Sequence, residues 1–267
     1  MTERPFRALR PRNVAATVAA ALLLAGALPA AAVGRFNVTF VQPPAELQEL
    51  AAMIKEPGII EAAAGFVNSM LRLPRDVPVV FDTCNVPNAF YDPKASRIVF
   101  CYEFLALFDN VLAGGTDLSP QEVDDAIVGS TLFFVFHEMG HALVHVLDLP
   151  ITGREEDAVD DLAGLILIEV DGHEDLLSAA DSFALLAAGL EASGTQLAFW
   201  DEHSLNAQRA YALTCMVFGT NPEAYAHLVH PETLPEARAR RCPSEFRQKT
   251  KAWERLLDPY LTDEARD

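Results

Sequence analysis

The sequence predicts a mainly helical α+β fold, with a small N-terminal sheet, one long apolar helix in the middle and a helical second half. Three observations carry that expectation. Val77 to Phe81 and the two flanks of Asp92-Pro93-Lys94 read as strands, because β-branched and aromatic residues cluster there between turn formers. Ser119-Pro120-Gln121-Glu122 supplies an N-cap, a first-turn proline and a capping-box glutamate at the head of a stretch that runs unbroken to about Leu147. Beyond Pro150 the remaining elements read as helices.

Taken in order, Ala45 to Lys55 and Ile59 to Leu73 carry apolar residues at helical spacing. Val77 to Phe81 follows as a short buried strand, and Asn88 to Tyr91 with Arg97 to Tyr102 form a hairpin. Glu103 to Leu112 is a helix that Gly114 and Gly115 break. After the long helix, a second one begins near Thr152 and runs through Glu155 to Val170; further helices fall at Leu176 to Ala192, Asp201 to Val217, Pro222 to Val229 and Ser244 to Leu257. No repeats or low-complexity linkers interrupt this order.

The N-terminus reads as an export signal. Arg4, Arg7, Arg10 and Arg12 precede an apolar core from Val14 to Leu28 and a small-residue cleavage site at Ala30-Ala31-Ala32. Residues 1–32 are therefore expected to be removed, with an uncleaved anchor as the competing reading. Residues 33–267 are expected to form one domain, with the sheet and long helix in 33–150 and a helical lobe in 151–267. Net charge is −18, and −21 once residues 1–32, with their four arginines and Glu3, are set aside. So acidic a surface repels nucleic acid and anionic membranes, and no stable membrane insertion is expected after cleavage.

All four cysteines, Cys84, Cys101, Cys215 and Cys242, lie in the exported part, where an even count points to disulfides. Three pairings are open. Cys84 and Cys101 sit almost symmetrically about the Asp92-Pro93-Lys94 turn, which places them across the hairpin and leaves Cys215 with Cys242. No pair has the short spacing of a four-cysteine metal site.

The long helix contains Phe136-His137-Glu138-Met139-Gly140-His141-Ala142, an H-E-x-x-H motif. A helix advances about 100° per residue, so both imidazoles lie on one face, one turn apart, within reach of a single zinc ion. Glu138 flanks that position, where a general base must sit to take a proton from water activated by a metal. Read blandly, these are core histidines. Yet the stretch Thr131 to Leu149 is almost wholly apolar around His137, Glu138, His141, His145 and Asp148, and burying so many ionisable groups without a partner is costly.

A hydrolytic zinc site needs a third protein ligand and an open position. Candidates crowd the next helix: Glu155, Glu156, Asp157 and Asp160. Thr152 and Glu155 fit a capping box, which commits Glu155 to the helix start. Glu156 is then the first choice as ligand, and Asp160, one turn on, can brace a ligand histidine through its outer ring nitrogen. Glu155, Asp157 and Asp160 remain the alternative ligands.

These residues resemble the gluzincin arrangement, in which H-E-x-x-H is completed by a glutamate from the following helix with an aspartate four residues on. More closely, the chain resembles a family of secreted bacterial metallopeptidases carrying domain of unknown function 4344. That resemblance rests on the zinc motif, Gly153-Arg154-Glu155-Glu156-Asp157, Ala89-Phe90-Tyr91-Asp92-Pro93, Cys101-Tyr102-Glu103, Phe199-Trp200-Asp201-Glu202-His203-Ser204-Leu205 and Arg241-Cys242. It implies a zincin-like fold and metal chemistry, and no substrate.

In such a fold the strand Arg97 to Tyr102 is the expected edge for an extended peptide to pair with. His203 is the first candidate for stabilising an oxyanion, with Arg209 and Tyr211 as rivals and an ordinary surface histidine as the plain reading. His145 is expected to flank the site, and His173, His227 and His230 to be loop or surface residues. The favoured function is a zinc peptidase acting on peptide or protein outside the cytoplasm. A zinc-stabilised binding module that cleaves nothing and a cell-wall peptide hydrolase are the alternatives; an intact Glu138 argues against the first.

Overall fold

A computed structural model describes residues 33–266, so the expected export signal lies outside the described residues. Strands β1 (Phe36–Phe40), β2 (Val77–Asp82), β3 (Ala89–Asp92) and β4 (Arg97–Cys101) form a sheet in the order β1-β2-β4-β3. β1, β2 and β4 run parallel, and β3 returns antiparallel to β4. In β2 the pleat turns Val77, Val79 and Phe81 into the core, the period-two burial of a sheet with one covered face. β1 was not expected from the sequence; it is defined by pairing residue for residue with Val77 to Phe81.

That strand order corrects one expectation. β4 is paired on both sides, so it cannot be the edge offered to a peptide. The edge nearest the long helix is β3. Cys101 N–H donates to Asn88 O at 3.0 Å, so Asn88, Phe90 and Asp92 spend their backbone groups on β4 and those of Ala89 and Tyr91 point off the sheet. At the opposite edge the Asn68 side chain covers β1, accepting from Phe36 N–H at 2.8 Å and donating to Phe36 O at 3.0 Å.

The helices are α1 (Gln48–Lys55), α2 (Ile59–Met70), α3 (Tyr102–Gly115), α4 (Pro120–Val146), α5 (Glu155–Glu169), α6 (His173–Ala192), α7 (Asn206–Thr220), α8 (Glu236–Ala239), α9 (Cys242–Leu257) and α10 (Asp263–Arg266). α4 starts at the Ser119 and Glu122 capping box, with Ser119 N–H donating to Glu122 Oε2 at 2.8 Å and Glu122 N–H to Ser119 Oγ at 3.4 Å. It is long and apolar enough to cross a membrane, but most of it is buried within the fold. β3, β4, α3, α5 and α6 pack around it, which is why it is apolar on every side instead of along one stripe.

Several boundaries differ from those the sequence suggested. α3 includes both glycines in its last turn, α7 starts at Asn206 and not Asp201, and Pro222 to Val229 holds a single 3-10 turn at Ala226–Leu228. α5 starts at Glu155 behind Arg154, and no side chain caps it. The expected Thr152 and Glu155 capping box therefore does not form. Disulfides join Cys84 to Cys101 and Cys215 to Cys242. The main core takes buried side chains from Phe36 through Leu257, so the sheet and the helices of the second half close over one interior.

Candidate metal centre

α4 and α5 meet at Gly140. A Cβ there would stand 2.9 Å from Val159 Cβ, closer than side-chain carbons approach, so only glycine lets the two helices come this near. The contact sits inside H-E-x-x-H on one helix and between Glu156 and Asp160 on the other. It draws the carboxylates of α5 onto the histidines of α4.

His137 and His141 each use the outer ring nitrogen on a carboxylate. His137 Nδ1 is 2.7 Å from Asp160 Oδ1, and His141 Nδ1 is 2.7 Å from Glu155 Oε1. A carboxylate on Nδ1 fixes the proton there, so each neutral ring presents a bare lone pair on Nε2. Those two Nε2 atoms face each other at 3.2 Å. Glu156 completes a triangle, with Oε2 3.2 Å from His137 Nε2 and Oε1 3.3 Å from His141 Nε2. Oε2 is buried and has no hydrogen-bond partner.

Three bare electron-pair donors converging on one point repel each other unless a cation sits between them. Tetrahedral ligands at the roughly 2.0–2.1 Å bond lengths of zinc stand about 3.3 Å apart. The three separations here match that spacing, and two imidazoles with one carboxylate are a donor set that zinc accepts. The His137, His141 and Glu156 cluster thus fits a metal ion.

Electrostatics describe the same centre from the proton's side. Burial disfavours the His141 cation, but Glu156 and Glu155 outweigh it and raise the pKa to about 9. His137 is likewise raised: burial opposes, and Asp160 and Glu156 prevail. Burial also opposes ionisation of Glu156, yet the imidazoles of His137, His141 and His203 hold it ionised far below the usual carboxylate range. Each of these groups favours positive charge at the cluster, which in the metal-free chain is a proton.

Asp160 is itself gripped by Arg209 of α7, whose Nε donates to Oδ2 at 2.8 Å and Nη2 to Oδ1 at 2.7 Å. The guanidinium lies 4.0 Å from the Phe183 ring centroid, so a cation on an aromatic face braces the carboxylate that braces His137. Arg209 was a rival for the oxyanion. Bound to Asp160 on both sides of its fork, it is committed to the support of the cluster.

Glu138 is buried beside the cluster. Burial raises its pKa; the charges of His137 and His141 oppose and Glu156 adds to the rise, while the Tyr91 backbone N–H donates to it and lowers it. That N–H lies on the side of β3 turned away from β4, and Glu138 takes it up. His203 Nε2 stands 3.0 Å from Glu156 Oε2, with Nδ1 3.0 Å from Asp201 Oδ1. Its pKa is raised chiefly by the Glu156 carboxylate beside it, against burial.

Glu155 is the principal correction. Reserved as a cap in the sequence reading, it instead holds the outer nitrogen of His141; the adjacent pair of glutamates before Asp160 held that signal. His145 does not join the cluster, because its Nδ1 meets Tyr91 Oη at 2.7 Å and so ties α4 to β3. Tyr211 is exposed, and His173 and His227 lie against Tyr225.

No curated protein and no solved structure shows a significant match to the chain. Residues 42–257, most of the chain, match the model of domain of unknown function 4344, described as "Putative metallopeptidase", and the chain belongs to that family.

Proposed function

We propose that the protein is an exported zinc-dependent peptidase. The observation that carries this reading is the convergence of His137 Nε2, His141 Nε2 and a Glu156 carboxylate on one point, with the buried Glu138 beside it. His137, His141 and Glu156 would hold the ion. Zinc, when bound, supplies Lewis-acid chemistry that acidifies a water molecule and polarises the scissile carbonyl. Glu138 takes the proton from that water and passes it to the departing amine; a carboxyl whose pKa is raised by burial is suited to both transfers.

His203 stabilises the developing oxyanion. Asp201 on Nδ1 orients the ring, and a raised pKa keeps a proton on Nε2 to donate. The N–H and C=O of Ala89 and the C=O of Tyr91, turned off the β3 edge, offer a short ladder to an extended peptide, which binds backbone with little regard for side chains. Two disulfides fit an oxidising compartment.

Metal analysis together with peptide-library cleavage tests the reading. Wild type should carry close to one zinc per chain and cleave peptides; Glu138→Gln should keep the zinc while cleaving at least roughly 100-fold more slowly. A zinc-loaded wild type that cleaves nothing in a broad library would overturn the peptidase assignment.

A further inference from the structure

His203 lies in a connection, residues 193–205, that contains neither helix nor strand. With no helix or strand to fix it, the segment is placed by the contacts that its backbone and side chains make. Two side chains at the start of α5, Arg154 just before it and Asp157 in its first turn, supply contacts from outside the segment. Arg154 Nη1 donates to His203 O at 3.2 Å and to Ser204 Oγ at 3.4 Å. Ser204 Oγ in turn donates to Asp157 Oδ1 at 2.6 Å. Within the connection, Asp201 Oδ1 accepts both His203 N–H at 2.9 Å and the ring Nδ1–H at 3.0 Å.

We propose that Arg154, Asp157 and Ser204 form a clamp that positions His203, so that one helical turn sets both Glu156 and the ring facing it. Four consecutive residues then share the task. Arg154 holds the His203 carbonyl and Asp157 the neighbouring Ser204 hydroxyl, Glu155 holds His141, and Glu156 faces the metal position. The clamp residues are positioning residues, since none touches the reacting atoms. The charged hydrogen bonds lie on the solvent side, so each is weak alone; what the set fixes is the place of one ring, where a shift of about 1 Å costs on the order of 100-fold. The catalytic consequence rests on the role proposed for His203, and the clamp itself does not.

Two measurements on the full-length zinc-loaded protein separate these claims. Amide exchange in a peptide covering residues 198–205 should become about tenfold faster in Ser204→Ala and Asp157→Asn, and return toward wild type in Ser204→Thr, with zinc content unchanged. Unchanged exchange in Ser204→Ala overturns the clamp, whatever the activity. On a quenched fluorescent peptide selected by wild type, Ser204→Ala should lose about tenfold in kcat with KM within about twofold. That loss should vanish when the change is made in His203→Ala, because both act through one ring. An equal loss in the His203→Ala background shows that Ser204 acts elsewhere and overturns the positioning role. A His203→Ala protein that turns over at the wild-type rate, with the exchange result intact, sinks the oxyanion assignment and leaves the clamp standing.

Discussion

At the scale of the residue, the division of labour between Glu155 and Glu156 is the point where neighbours with one chemistry do different work. Glu156 faces both Nε2 atoms, and Glu155 faces the outer nitrogen of His141. Glu156→Ala should abolish stoichiometric zinc, whereas Glu155→Gln should retain it with affinity about 10–100-fold weaker, the usual cost of losing a partner behind a ligand; competition with a fluorescent chelator reads both. The reverse order of effects would mean that the two glutamates exchange roles. Protons and metal compete for this cluster. The pKa of His141 is raised in the fold from 6.5 to about 9, so the folded, metal-free chain holds that proton more tightly than the unfolded chain does. The resulting stabilisation is complete below pH 6.5 and is lost as pH rises through about 9. The melting temperature of chelated protein should therefore fall across that window, and His141→Ala should flatten the fall. Zinc requires deprotonated imidazoles, so its affinity should rise over the same range.

At the scale of the element, the site depends on how closely α5 crosses α4. Gly140→Ala places a methyl group 2.9 Å from Val159 Cβ, and a packed helix pair accommodates it only by moving apart. The expected cost is about 1–3 kcal/mol of stability, accompanied by weaker zinc binding because Glu156 and Asp160 retreat together. Val159→Ala made in the same chain should recover part of both, as read by urea denaturation and zinc titration. Recovery of neither would place the damage outside the helix crossing.

At the scale of the molecule, one core joins the sheet to the second-half helices, while the Cys215–Cys242 disulfide ties α7 to the start of α9 in a smaller apolar cluster. Its loop closes over a sequence separation of 27, for which chain entropy gives about 3.5 kcal/mol. Replacing both cysteines by alanine should lower stability by about that amount in chemical denaturation. Zinc content should hold, because α7 reaches the centre through Arg209 on Asp160, away from the bridge. Loss of zinc in the folded variant would show that the bridge also orients Arg209.

The sequence by itself determined the long helix, the two histidines one turn apart and the carboxylate between them, because the cap, the unbroken apolar run and the i, i+4 spacing are local properties of the chain. It determined the hairpin for the same reason, since a turn and its flanks are close in sequence. Tertiary structure decided the rest. β1 is a strand because β2 lies beside it, and β4 is interior because β2 and β3 cover both its sides, facts that no local window contains. Which of two adjacent glutamates faces the metal position and which backs His141 depended on the rotation and start of α5, and residues more than ten positions away set both. The Thr152 and Glu155 pattern was a sound local signal for a cap, but the carboxylate meets the half-buried His141 imidazole instead. Arg209 and Ser204 gained their roles in the same way, through partners 49 and 47 residues distant. Spacing along the chain reports which side chains share a helix face, and only packing reports what that face meets.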